Sequence, residues 1–198
     1  SKRRLTIQKA FHQYWEMGGF PETLNLPVHI RTRVHQEYLS TILFRDVIER
    51  HDISHPRAIK DLSQRLLDNV GSLYSLNKLS SVLKSLGHKV PKMSVADYLV
   101  WLEDAYAFFT VKLFDASLSR VNANPKKAYC IDHALVHSTS SPVLVNSGHL
   151  LENLVFIALR RITDNIHYYK TKQEWEVDFI AILRDKKRLL VQVCEQME

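Results

Sequence analysis

The chain has 198 residues, 45% hydrophobic and 24% charged, ordinary globular values and enough for one sizeable domain or two small ones. No apolar run reaches the roughly 20 residues needed to span a bilayer, and no basic-then-apolar leader opens the sequence. A surplus of 27 Lys and Arg over 21 Asp and Glu permits contact with nucleic acid without requiring it.

From Leu5 to Trp15, the residues Ile7, Phe11 and Tyr14/Trp15 recur at helical spacing and predict a helix. Gly18-Gly-Phe-Pro-Glu22 ends it, because Gly closes helices and Pro cannot extend them. Ile30, Val34, Tyr38, Ile42 and Val47 or Ile48 predict a long helix reaching about His51. Pro56 opens another, with a stripe of Ile59, Leu62, Leu66, Leu67 and Val70. Ser75 is placed to cap a helix carrying Leu76, Leu79, Val82, Leu83 and Leu86, with Gly87 past its end. Ser94, with Asp97 three residues on, matches a capping box and predicts a helix that buries Val95, Tyr98, Leu99 and Leu102. Strand-like runs at 107–114 and 127–132 then flank a polar loop with Asn122, Asn124 and Pro125. Three helices followed by a two-stranded ribbon predict a winged helix-turn-helix.

The stretch 56–128 holds 11 Lys and Arg against 6 Asp and Glu, a weak bias toward phosphate. Its second paired helix offers Asp97, Glu103 and Asp104 but no Arg or Asn to address base edges. Contact is therefore expected with the nucleic-acid backbone only, through Lys89, Lys92, Lys112, Arg120, Lys126 and Lys127. A module that packs against protein is the reading favoured over such contact.

In the last quarter, a helix with Glu152 precedes two alternating runs, 175–183 and 189–194, joined by a charged turn at 184–188. Period-two alternation puts Glu176, Asp178 and Ile180 on one face, and Leu190, Gln192 and Cys194 on one face of the next strand. This arrangement resembles the core of PD-(D/E)XK nucleases. The resemblance implies Glu152 as the helix acid, Asp178 as the strand acid and Gln192-Val-Cys194 at the acid-x-Lys position. Glu152, Asp178 and Gln192 are then the catalytic candidates, with Asp178 and Glu152 as ligands of a divalent metal. Cys194 cannot supply the ammonium of the expected Lys, and Lys186 and Lys187 would reach the site only by folding back. The resemblance thus implies a nuclease-like scaffold with a degenerate site. The bland alternative is a half-covered hairpin whose polar groups face water.

The whole order is more specific than any part: Gly18-Gly-Phe-Pro-Glu22, Arg45-Asp46-Val47, Tyr98-Leu99, Leu102-Glu103, Lys127-Ala-Tyr129, Asp132, Leu151-Glu-Asn-Leu-Val-Phe156, Tyr168-Tyr169 and Glu176-Val-Asp-Phe179. It resembles the C-terminal half of a prokaryotic AAA+ P-loop ATPase family, a winged helix plus a nuclease-like domain of unknown function. The resemblance implies an N-terminal ATPase module in cis ahead of Ser1, holding ATP and Mg2+, with residues 1–22 its last remnant. The chain itself has no GxxxxGK[ST], and its five glycines are scattered, so no cofactor is expected within it. Arg45 is at most a candidate arginine finger for a neighbouring subunit. The ten histidines show no metal-binding pair on one helix, and no nucleophile elbow occurs. Cys130 and Cys194, in apolar runs, are expected to be buried free thiols of a reducing cytoplasm.

The expected architecture is α+β in three parts. Residues 1–55 form a helical remnant of the ATPase lid and linker, 56–135 the winged helix, and 136–198 a restriction-endonuclease-like α/β domain cut short by the chain's end. The expected role is regulatory, binding DNA or a partner protein and no membrane. A metal-dependent DNA nuclease and a freestanding winged-helix DNA-binding factor are the alternatives.

Overall fold

The computed structural model describes residues 2–171, 173 and 175–194. Helix α1 (Lys2–Met17) forms where the spacing predicts it but buries none of its residues: Leu5, Ile7 and Phe11 are exposed. Only its C-terminal end is anchored, by Tyr14 and Trp15 packing on the His133 ring. His133 Nε2 also lies 3.1 and 3.0 Å from the Tyr14 and Trp15 carbonyls in the last turn of the helix, where Tyr14 O already accepts Gly18 N–H at 2.8 Å. Gly18 stops the helix at φ +79°, and a Cβ there would stand 2.3 Å from that of Ala134. Gly19 N–H donates to Asp132 Oδ2 (2.6 Å), while Asp132 Oδ1 accepts from Ala134 N–H (2.8 Å) and caps α7 (His133–Thr139). The double glycine is therefore a tie between the first helix and α7.

Helix α2 (Val28–Thr41) runs on into a π-helical stretch, Ile42–Glu49, where the backbone bonds widen to five residues. The predicted long helix exists, but its inward face differs. Arg31, His35, Leu39 and Leu43 are buried, whereas Ile30 is exposed and Val34 and Tyr38 are half-buried. The rotation follows from α7, where Ser138 takes hydrogen bonds with His35 Nδ1 (2.9 Å) and Gln36 Nε2 (2.6 Å).

Next come α3 (Pro56–Leu67), β1 (Leu73–Tyr74), α4 (Leu76–Ser85), α5 (Lys92–Asp104), β2 (Phe108–Leu113), α6 (Leu118–Ala123) and β3 (Lys126–Cys130). The Ser75 hydroxyl caps α4 by accepting Lys78 N–H at 3.2 Å, as predicted. The expected capping box of α5 is not formed. The helix already begins behind Pro91, so Ser94 lies inside its first turn. The polar loop holds the short α6, capped by Ser117.

After α8 (Ser147–Arg160) follow β4 (Ile166–Lys170), β5 (Glu176–Ile182) and β6 (Arg188–Val191). The β5–β6 hairpin closes over the predicted charged turn, with Lys186 at φ +65°. Among the described residues six strands make one mixed sheet in the order β1-β3-β2-β4-β5-β6, parallel only between β2 and β4. The architecture is α+β. The boundary expected at 135/136 does not separate two sheets, because Lys112 and Leu113 of β2 pair with His167 and Tyr168 of β4. Helix α8 lies on this sheet, and buried Asn153 clamps it there. Its Oδ1 accepts Cys130 N–H (2.8 Å) and its Nδ2 donates to Cys130 O (3.2 Å). The core is continuous from Leu62 and Leu102 to Tyr129, Phe156 and Phe179.

Candidate functional site

Alternation places Lys127 and Tyr129 on one face of β3, and Glu176 and Asp178 on one face of β5. These strands are three places apart, about 14 Å in a flat sheet at ~4.8 Å per strand. The long side chains of Lys127 and Glu176 close that gap, and α8 brings Glu152 down onto the same point. Lys127, only 4% exposed, holds its Nζ 2.8 Å from Glu152 Oε1, 2.5 Å from Glu176 Oε1 and 3.6 Å from Asp178 Oδ1. Tyr129 donates its hydroxyl hydrogen to the same Glu152 oxygen, with its ring stacked on Phe156 at 4.6 Å. Asp178 Oδ2 accepts from Gln192 Nε2 (2.7 Å) and from Val193 N–H (2.8 Å).

Burial alone would lower the Lys127 pKa, but the Glu152 charge and the bonds to Glu152 and Glu176 outweigh it and hold it above its ordinary value. The Tyr129 phenol is pushed far up, by burial first and by Glu152 second. At neutral pH the cluster thus contains an ammonium and a neutral hydroxyl donor, both aimed at carboxylate oxygens.

The predicted Glu152, Asp178 and Gln192 are therefore brought together, and Lys127, Tyr129 and Glu176 complete the group. Lys127 was expected on the DNA backbone, and burial in this cluster removes it from that role. Its ammonium lies among Glu152, Glu176 and Asp178 instead. The hairpin reading with polar groups in water holds for Gln192, which is exposed, but not for Asp178, which is buried together with Glu152. Cys194 lies past the end of β6 and is exposed, contrary to expectation. Cys130 is buried, its thiol donating to Asp132 O at 3.0 Å and pushed up to about 12 by burial. Lys187 does not fold back to the site but pairs with Asp185 at 2.8 Å. A local signal for Lys127 did exist: it shares a strand with Ala128, Tyr129 and Cys130, apolar on both faces, where a Lys is tolerated only beside a carboxylate.

The oxygen donors are of the hard type a divalent metal prefers, yet the arrangement does not fit one. Mg2+ binds oxygen at about 2.0–2.1 Å, so an ion on these carboxylates would compete for the space that Lys127 Nζ fills. Among the described residues no group of three or more His, Cys, Asp or Glu is arranged to hold a metal ion.

The other predicted contacts lie on α5 and the β2–β3 ribbon. Lys92, Lys112 and Lys126 line one groove of about 480 Å3 together with Asn122 and Asn124. Burial and then Lys112 push the Lys126 ammonium below its ordinary pKa. Arg120 pairs with Asp115 at 2.8 Å, and Lys89 is exposed between α4 and α5. Glu103, expected to face solvent, instead turns toward β2 and accepts Thr110 N–H at 3.2 Å.

Fold and cluster together define an α+β protein with one mixed sheet and a buried ion cluster in which one ammonium meets three carboxylates. A family described as "Domain of unknown function (DUF8612)" matches residues 8–142, and the chain belongs to it. It is 34% identical to an uncharacterized protein of Methanocaldococcus jannaschii, over 99% of this chain and 45% of the relative. It is 28% identical to an uncharacterized protein of Haemophilus influenzae, over 98% of this chain and 48% of the relative. The chain thus spans less than half the length of these relatives. No solved structure matches it. Among the described residues no helix is long and apolar enough to cross a membrane.

Proposed function

We propose that this chain is the regulatory, binding half of a longer cytoplasmic AAA+ ATP-binding protein, and that its nuclease-like site serves as an internal ion cluster. The observation that carries the reading is the Lys127 ammonium at the meeting point of Glu152, Glu176 and Asp178. A nuclease needs those oxygens for metal and water, whereas here they are bound by the protein's own cation. The helix–strand–helix–helix–strand–helix–strand order from α3 to β3, with β3 antiparallel to both β1 and β2 and the short α6 in the connection between β2 and β3, supports a winged helix. The groove of Lys92, Lys112 and Lys126 favours a nucleic-acid backbone as its ligand. Relatives of about twice the length, and the uncovered Leu5, Ile7 and Phe11 of α1, support an additional module in cis. ATP and Mg2+ belong to that module.

The test joins cleavage to binding. The chain is incubated with supercoiled DNA and Mg2+ or Mn2+, and its affinity for a duplex is followed against salt. The expected result is no nicking, together with salt-dependent binding whose log–log slope drops by about one for each of Lys92→Ala, Lys112→Ala and Lys126→Ala. Metal-dependent nicking that disappears in Asp178→Ala would replace the proposal with a nuclease.

A further inference from the structure

Between α1, α2 and α7 lies a cleft of about 280 Å3 that includes Trp15, Glu16, Arg31, Thr32, His35 and His137 in its lining. Arg31 is 7% exposed, and its Nη1 has no hydrogen-bond partner. No ion pair to Arg31 is formed among the described residues, a rare state because an unpaired buried guanidinium is strongly disfavoured. Glu16 stands exposed at the same cleft without pairing to it.

We infer that this cleft is an oxyanion site, which takes a phosphate group as the missing counter-ion of Arg31. A guanidinium presents a planar fork that matches phosphate oxygens. Thr32 and His137 add donors, since neither side chain has a hydrogen-bond partner among the described residues and both line the cleft. His35 is already committed. The Thr23 hydroxyl donates to Phe20 O (2.9 Å), so it accepts from His35 Nε2 (3.3 Å), and Ser138 Oγ donates to His35 Nδ1 (2.9 Å). This fixes a neutral tautomer, in keeping with the burial that lowers the His35 pKa. His35 therefore holds α2 to α7 behind the guanidinium instead of binding the ligand. The Glu16 charge, being exposed, is screened by water and salt and does not close the site to anions.

The probe is inorganic phosphate, with glycerol phosphate as a second arm and chloride at matched ionic strength as the control. Thermal unfolding of the 198-residue chain should shift up by about 5–10 °C at phosphate ~100-fold above its Kd. Arg31→Met should lose this phosphate shift while melting no lower than the wild type in chloride, because it removes an uncompensated charge. Broadening of the 31P resonance, present for the wild type and absent for Arg31→Met, reads the same contact without relying on unfolding. A shift with both probes assigns the phosphate group as the ligand; a shift with the inorganic ion alone assigns the free ion. Either upholds the site. No shift in the wild type, or an equal shift in Arg31→Met, overturns it. So does a lower melting temperature of Arg31→Met in chloride that Glu16→Gln reproduces, which would make Glu16 the partner.

Discussion

Lys127 neutralises part of a buried cluster of three carboxylates, so its removal should cost more than any surface ion pair. Breaking a buried pair from one side typically costs about 3–5 kcal/mol, because the remaining charges stay buried. Lys127→Met should lower the stability by that amount in urea unfolding, and adding Glu152→Leu should recover part of the loss. The histidines set a different dependence. His35 and His137 are held below the usual value of 6.5, in both cases by burial first. Arg31 and His133 lower His35 further, His133 lowers His137, and Asp132 opposes the shift in both. A lowered folded pKa means that the unfolded chain binds more protons between that value and 6.5. Stability is therefore flat above this window and falls as pH drops through it. Urea midpoints should decline from about pH 7.5 to about pH 5.5, and His35→Asn should flatten the decline.

Helices and strands join here through single side chains. Asn153 satisfies both the N–H and the C=O of Cys130, the last residue of β3. Asn153→Leu keeps a similar bulk but strands two buried backbone groups, each about 1–3 kcal/mol. It should destabilise by about 2–5 kcal/mol in chemical unfolding, more than Asn122→Leu on exposed α6. Most elements were legible because their signals are local. Ser75 and Gly87 bracket α4, and the turn at 184–188 closes β5 onto β6. The inward face of α2 was not legible. Its apolar residues pointed to Ile30, Val34 and Tyr38, but hydrogen bonds of His35 and Gln36 to Ser138, a hundred residues away, set the rotation.

At the scale of the molecule, the sheet joins what the sequence divides. β2 is the centre of the join, antiparallel to β3 on one side and parallel to β4 on the other. A chain ending at residue 135 would leave the β4-facing edge of β2 unpaired and would lose Phe156 and Phe179 from the Tyr129 cluster. It should not unfold cooperatively, whereas the 198-residue chain should show one transition that coincides by circular dichroism and fluorescence. The candidate site divides along the same line. Alternation assigned Asp178 and Gln192 to strand faces, and the resemblance to PD-(D/E)XK nucleases singled them out together with Glu152, because oxygen-bearing side chains at helix and strand positions are local facts. Only the tertiary structure decided that Lys127 and Tyr129 belong beside them. Strand alternation assigns a side chain to a face but does not say which distant strand shares it, and the pairing of β2 with β4 together with the seating of α8 on the sheet is what brings an ammonium from residue 127 against carboxylates at 152, 176 and 178.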